Sequence, residues 1–276
     1  MGGALFVVGT PIGNLADISA RALDALRSAS FIVCEDTRHS RVLLAHYGIS
    51  KETVSLPAFA ERERSGRILY RLSAGEDCAL ITDAGSPGIS DPGEVLVASA
   101  VQRGIRVSPI PGPSAAVAAL TVSGLPAARF HFLGFLPRKR ADRAKLLAEV
   151  EPLRATLVMF ESPHRLADSL EELSAALGQR RACVARELTK VHEELSRGTL
   201  AQLAAQYRGQ EVLGEIAIVV EGRAEAACWS EAEVRSAIAE RISRGEPLKE
   251  LSRDLAARSG WTARALYRLA LSLRSA

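Results

Sequence analysis

The chain has 276 residues, 47% of them hydrophobic and 24% charged, with a formal net charge of +3. That length holds two domains with buried cores, and the balance is that of an ordinary globular protein, not a disordered or fibrous one. No apolar stretch approaches the roughly 20 residues that span a bilayer, and the N-terminus shows no basic n-region or cleavage site. The four cysteines, Cys34, Cys78, Cys183 and Cys228, form no C-x-x-C pair, so the expectation is a cytoplasmic protein with free, buried thiols. Only five of the 35 basic residues are lysines (Lys51, Lys139, Lys145, Lys190 and Lys249). Arginine suits bidentate phosphate contacts, although a GC-rich coding bias explains the same excess.

In chain order, apolar runs at 4–9, 31–35, 53–56, 78–82 and 106–110 predict strands. Segments 19–28, 38–46, 61–74 and 94–101 between them predict helices. Strands alternating with helices imply a parallel sheet covered on both faces. A further helix is expected after Pro113, with proline as its first residue. Three strand ends carry stiff loops: Thr10-Pro11-Ile12-Gly13-Asn14, the stretch 83–93 with three glycines and two prolines, and Pro111-Gly112-Pro113-Ser114-Ala115. Glycine allows close backbone approach and proline locks φ. Ligands of open α/β sheets sit beyond the carboxyl ends of strands, where these loops lie. The loops lack G-x-G-x-x-G and G-x-x-x-x-G-K-[ST], which argues against an ordinary dinucleotide site and a P-loop.

A second α/β unit is expected from about residue 126, with strands at 130–135, 156–160, 181–186, 192–197 and 214–220 and helices at 140–150, 166–177 and 200–206, built on a mixed sheet. Two adjoining α/β units leave a cleft between them. From about residue 225 the strand signal ends. Ser230 with Glu233 predicts a capping box, and helices through 241, over 248–258 and over 263–273 form a module like a helix-turn-helix. The expected domains are 1–125, 126–224 and 225–276.

The segments 8–15, Glu35-Asp36-Thr37-Arg38-His39, 83–93, 111–115, Glu161-Ser162-Pro163-His164-Arg165 and Arg186-Glu187-Leu188-Thr189-Lys190 occur in this order. Together they resemble the small-subunit ribosomal RNA methyltransferase I family of the tetrapyrrole-methylase superfamily, from about Leu5 to the C-terminus. The resemblance implies two α/β domains of the class III methyltransferase type and S-adenosylmethionine folded in the cleft. It also implies no metal requirement, a homodimer, and action on the assembled small ribosomal subunit. The product would be 16S rRNA methylated on the ribose 2'-oxygen of the cytidine usually numbered 1402. Donor-binding roles carry over to Pro11, Gly13, Asp83, Gly85, Ser86, Ser114, Ala115, Phe160, Glu161, Gly214, Glu215 and Ile216. Porphyrin-methylating members usually read Gly-Asp-Pro plus an aromatic residue after the fourth strand. Here the loop reads Asp-Ala-Gly-Ser-Pro-Gly-Ile, which fits the ribosomal-RNA branch.

A ribose hydroxyl is a poor nucleophile near pH 7 and calls for a general base or a polarising cation. Asp36 and Lys190 are the candidates nearest the chemistry. The bland alternatives are a helix cap at Asp36 or Thr37, an Arg38–carboxylate pair and a Lys190–Glu193 surface pair. RNA contact is expected from Arg38, from Arg138, Lys139, Arg140 and Arg143 in the densest basic run, from His164 and Arg165, and from Arg264 and Arg268 on the last helix. Two rivals remain: a methylase of a small tetrapyrrole acid, and a non-catalytic, nucleotide-sensing, DNA-binding regulator.

Overall fold

The computed structural model describes residues 2–224 and 229–274. Cys228 therefore lies outside the described residues. The chain divides into one compact unit of Met1–Glu151 with Ala155–Glu221, and a second of Pro152–Arg154 with Gly222–Ala276.

The larger unit begins with β1 (Ala4–Val8), α1 (Ala20–Ser28), β2 (Phe31–Cys34), α2 (Thr37–His46), β3 (Thr53–Ser55), α3 (Glu61–Ser73), β4 (Cys78–Leu80), α4 (Glu94–Gln102), β5 (Arg106–Ile110) and α5 (Ala115–Val122). The strands form a fully parallel sheet in the order β3-β2-β4-β1-β5. Alternation along each strand feeds two cores. Phe31, Val33, Cys78 and Leu80 pack on one face with α3 and α4 residues. Ile32, Cys34, Ala79 and Ile81 pack on the other with Ala22, Ala25 and Leu26 of α1. A sheet buried on both faces needs such continuous apolar strands.

The second half continues with β6 (Phe130–Phe135), α6 (Arg140–Val150), β7 (Thr156–Glu161), α7 (Leu166–Leu177), β8 (Arg181–Arg186), β9 (Glu194–Thr199), α8 (Leu200–Tyr207) and β10 (Ile216–Val220). Its sheet is mixed, in the order β6-β7-β10-β8-β9: β6 and β7 run parallel and the other pairs antiparallel. The two halves share a core. Ala116, Ala119 and Leu120 of α5 pack against Val158, Cys183, Ala185 and Ala217 of the second sheet.

Several predicted ends shift for local reasons. Ser114, in extended conformation, is the N-cap of α5, so Pro113 precedes the helix and is not its first residue. β9 starts at Glu194, not at 192, because Lys190 N bonds Glu187 O and Glu193 N bonds Lys190 O, which keeps 187–193 in a turn. β10 starts at Ile216 because Gly214 has a φ of 91°, outside strand geometry. Cys34, Cys78 and Cys183 are free and buried.

The smaller unit is helical, with α9 (Glu231–Ser243), α10 (Leu248–Ser259) and α11 (Ala263–Arg274). Ser230 and Glu233 form the expected reciprocal capping box, and Gly260 closes α10 in the left-handed region. Val234, Ile238, Leu251, Leu255 and Leu266 make its core. Leu269 and Leu273 pack on that core, and Arg264 and Arg268 are exposed, as expected. Among the described residues no helix is long and apolar enough to cross a membrane.

Candidate active site

The loops beyond β1, β4 and β5 are stitched to one another. Thr10 N donates to Gly85 O at 2.8 Å and Gly85 N to Thr10 O at 3.2 Å. The buried Thr10 hydroxyl reaches Thr82 O and Gly85 O. At the neighbouring crossing Gly9 and Gly112 touch through their backbones: a Cβ on Gly112 would lie 2.5 Å from Gly9 O. Glycine is required at both positions because no side chain fits between the chains.

These loops wall one side of a cavity of about 480 Å³, and ends of the second sheet wall the other. Ten of the twelve residues expected to hold the donor line it: Asp83, Gly85, Ser86, Ser114, Ala115, Phe160, Glu161, Gly214, Glu215 and Ile216. Pro11 and Gly13 do not, but Ile12 between them does. The apolar lining comes from Ile12, Ala115, Phe160, Ala185, Leu188 and Ala217, with exposed Phe135 edge-on to Phe160 at 5.5 Å.

The polar lining is acidic. Glu35, Asp83, Asp91 and Glu215 all face the cavity. Asp83 Oδ1 is buried and has no hydrogen-bond partner. Burial pushes the Glu35 carboxyl up, and the charges of Asp83 and Asp36 push it further. Burial first, then Glu35, Asp83 and Glu215, raise Asp91 from 3.8 to about 7. Ser90, just before it, holds a φ of 64°, unusual for a residue with a side chain. Glu35 and Asp91 stood inside motifs visible in the sequence, but nothing local marked them out. Their character comes from strands β2 and β4 and the approach to β10 meeting in space.

Glu161 lies at the base of the cavity with a fully buried side chain. It accepts from Ser162 N at 2.7 Å, Ser169 Oγ at 2.6 Å and Arg165 Nε at 2.8 Å. Arg165 also donates to Leu136 O. This network ties β7, α7 and the end of β6 together and occupies Glu161, while the Arg165 head keeps one buried nitrogen, Nη1, without a hydrogen-bond partner. His164 beside it is exposed.

Asp36 and Lys190 do not line the cavity. Asp36 is the N-cap of α2: it accepts from Arg38 N at 2.8 Å and pairs with the Arg38 guanidinium at 2.6 Å. The side-chain and backbone hydrogen bonds from Arg38 hold its carboxyl at about 2. A carboxylate that weakly basic is a poor proton acceptor at neutral pH. Lys190 bonds Glu187 at 2.9 Å and Glu215 at 3.2 Å, and its stem lies across Gly13. Partial burial pulls the ammonium down, but the hydrogen bonds and charges of Glu187 and Glu215 outweigh it and leave Lys190 above its ordinary value. Glu193 instead caps Thr189 N. Lys190 thus links the first loop to the second sheet at the cavity rim as a fixed cation.

In the basic run Arg138, Lys139 and Arg140 are exposed, whereas Arg143 is held by Glu172 and by Pro137 O.

The tetrapyrrole (corrin/porphyrin) methylase model matches residues 4–204. The chain is 45% identical over 273 residues to the Ribosomal RNA small subunit methyltransferase I of Mesorhizobium japonicum, covering 98% of this chain and 92% of that one. It is 40% identical to the protein of the same name from Synechocystis, covering 99% of both. Among solved structures, diphthine synthase superposes with a TM-score of 0.61 at 19% identity over 80% of this chain and 90% of that one. Uroporphyrin-III-C-methyltransferase from Thermus thermophilus gives 0.57 at 21% over 79% and 94%. At that distance the structures attest the fold alone, an α/β fold of two sheets shared with the class III methyltransferases. The chain belongs to the tetrapyrrole methylase family and, within it, to the ribosomal RNA small subunit methyltransferase I group. It is a methyltransferase.

Proposed function

We propose that the cavity binds S-adenosylmethionine and that the protein methylates the ribose 2'-oxygen of a cytidine, position 1402, in 16S rRNA of the small ribosomal subunit. The observation that carries this reading is the 45% identity to a ribosomal RNA small subunit methyltransferase I along 98% of the chain.

The cavity suits the donor. S-adenosylmethionine carries a sulfonium and an ammonium, and five carboxylates line the cavity, of which Asp83 has a buried oxygen lacking any partner. A buried carboxylate oxygen without a partner, as at Asp83, favours a cationic or N–H group of the ligand. The apolar side formed by Ile12, Ala115, Leu188 and Ala217 offers a surface for a flat base. The bound donor supplies an activated methyl group on a good leaving group. The protein's own work is then largely positioning. The interlocked loops at Thr10, Gly85 and Gly112 fix one wall. The Glu187–Lys190–Glu215 network fixes the rim of the other, and Glu161 with Arg165 braces its base.

The exposed Arg138, Lys139 and Arg140 are proposed to meet RNA phosphate, with Arg38, His164, Arg264 and Arg268 as further contacts and Arg143 and Arg165 acting through the ion pairs that hold them. Asp36 would then fix Arg38, and Lys190 would hold the rim; Pro11 and Gly13 would support the donor through Ile12. A homodimer acting in the cytoplasm is part of the same reading, as is a division into α/β domains 1–125 and 126–224 and a helical module 225–276.

The test is transfer of a labelled methyl group from S-adenosylmethionine to small ribosomal subunits from cells lacking this protein, with the nucleoside identified by mass spectrometry. Ribose-methylated cytidine supports the reading. Methylation of a tetrapyrrole acid and not of subunits replaces it. Donor binding with no transfer to any acceptor leaves the sensor.

A further inference from the structure

We propose that Asp91 is the catalytic proton acceptor of this methyltransferase, taking the proton of the acceptor hydroxyl as that oxygen attacks the methyl group. The inference rests on the hydroxyl-methylating function proposed above.

Three observations carry it. The first is position. Asp91 lines the cavity, in the loop between β4 and α4, whereas Asp36 and Lys190 stand outside the lining. The second is freedom. The Asp91 carboxylate has no hydrogen bond or ion pair among the described residues, while Asp36 is spent on Arg38, Glu161 on Arg165 and Ser169, and Lys190 on two carboxylates. A base must hold a proton well, and a carboxylate hydrogen-bonded to an arginine is a weaker proton acceptor.

The third is rigidity. The backbone around Asp91 is fixed on both sides. Ser90 is held at a positive φ. Pro92 O accepts from Gly88 N at 3.1 Å, and Gly93 N donates to the buried Glu61 carboxylate at 3.0 Å. A strained, over-determined segment beside an unpaired acid is a common mark of a preorganised group.

The groups facing Asp91 agree with the role. Glu35 from the end of β2, Asp83 from the end of β4 and Glu215 from the approach to β10 all bear negative charge toward it. Of these three, Glu215 is itself paired with Lys190. Burial first, and then like charges, raise the basicity of Asp91 into the range where a base is both unprotonated and effective near neutral pH.

The step balances as a direct displacement. The acceptor oxygen forms a bond to the methyl carbon. The carbon–sulfur bond breaks, with its electron pair staying on the donor's sulfur as a neutral thioether. The hydroxyl proton passes to Asp91 and later to solvent.

The experiment pairs Asp91→Asn with the wild type in single-turnover methylation of small subunits over pH 5.5 to 9, with donor affinity measured by calorimetry on the free protein. A parallel carbon NMR titration of protein labelled at aspartate carboxyls assigns the Asp91 resonance by its loss in the variant. The expected result has three parts: a rate about 10²-fold lower or more, donor affinity within threefold of wild type, and loss of a rising limb near pH 7 that coincides with the titration of the assigned carboxyl. Asp91→Glu should keep a rising limb at reduced rate. Asp91→Asn with near-wild-type rate and pH profile overturns the proposal while the function stands. So does an Asp91 carboxyl that titrates as an ordinary aspartate in the wild type, a readout that needs no variant to be active. Parallel loss of donor affinity also overturns it by making Asp91 a donor-binding residue. If the wild type transfers nothing to subunits, the proposed function itself has failed.

Discussion

Glu61 Oε1 accepts a hydrogen bond from Gly93 N, 32 residues further along the chain, at 3.0 Å. The same oxygen accepts from Leu96 N at 3.0 Å. Glu61 opens α3 and is 7% exposed, so a buried carboxylate satisfies two orphan amides at the start of α4 and complements the positive end of that helix. It also anchors the end of the loop that carries Asp83 and Asp91.

Glu61→Ala leaves both amides without an acceptor and should cost about 2–3 kcal/mol, read from the urea midpoint. Glu61→Gln keeps an acceptor oxygen and should cost about half as much. A calorimetric donor affinity that falls with Glu61→Ala would show the anchor reaching the cavity. Unchanged stability in both variants would remove the anchor from the account.

The second fixed point lies across the cavity. Glu187 Oε1 accepts from Glu215 N at 2.9 Å and from Lys190 Nζ at 2.9 Å. Glu187 itself sits at a φ of 52°, a strain that its hydrogen bonds hold in place. Gly214, at a φ of 91°, lies so close that an added Cβ would meet Glu187 Oε1 at 2.3 Å. Gly214→Ala should therefore displace Glu187, release Lys190 and weaken donor binding about tenfold. A donor affinity unchanged by Gly214→Ala would show that this rim does not shape the site.

Asp36 offers a contrast with Asp91 in pH dependence. Its hydrogen bonds to Arg38 keep the carboxyl at about 2, so it stays ionised from pH 5 to 9. Asp36→Asn should lower the methylation rate by a constant factor across that range and leave the rising limb where it is. A limb that vanishes with Asp36→Asn would make Asp36 the titrating group.

The basic run separates by partner. Replacing the exposed Arg138, Lys139 and Arg140 by glutamine should weaken RNA binding and reduce its dependence on salt, by about 0.7 in the log–log slope for each phosphate that is no longer neutralised. Arg143→Gln breaks the bridge from α6 to Glu172 on α7 and should act on stability, with little change in that slope. Equal salt slopes for the triple variant and the wild type would place RNA elsewhere.

What the sequence made legible follows from range. The parallel sheet could be read because both faces are covered, so its strands are uninterrupted apolar runs such as Phe31-Ile32-Val33-Cys34. The capping box at Ser230 and Glu233 could be read because it is local. The stiff loops at strand ends marked where one wall of the cavity lies, while the ten expected lining residues came from the family resemblance. The pairing of Lys190 with Glu187 and Glu215 was not, because Glu215 lies 25 residues away and only the turn at 187–193 brings the groups together. Glu61 was invisible for the same reason: on its own helix it reads as one more surface acid of a first turn. Asp91 gave no local signal, since its character is set by burial, by Glu35 and Glu215 from two other segments and by Asp83 across its own loop.

The crowding that suits Asp91 to accept a proton should cost the fold stability. Its carboxyl is raised from 3.8 to about 7, first by burial and then by Glu35, Asp83 and Glu215. The folded state therefore binds this proton more tightly than the unfolded chain does. The contribution of the group to stability is complete below about pH 3.8 and is lost as pH rises through about 7. Asp91→Asn removes that loss. The variant should gain on the wild type between about pH 4 and 7 and then hold a constant advantage. Because Asp91 is only partly buried, solvent screening limits the gain to about 1 kcal/mol. Urea midpoints of the two proteins at pH 5, 6.5, 8 and 9 measure the difference directly, and other titrating groups cancel to first order in the comparison. Parallel curves would mean that Asp91 titrates normally. A variant that is more stable at pH 8 yet slower in methyl transfer would show stability and activity opposed at one residue, as expected where a site keeps a charge the fold would otherwise exclude.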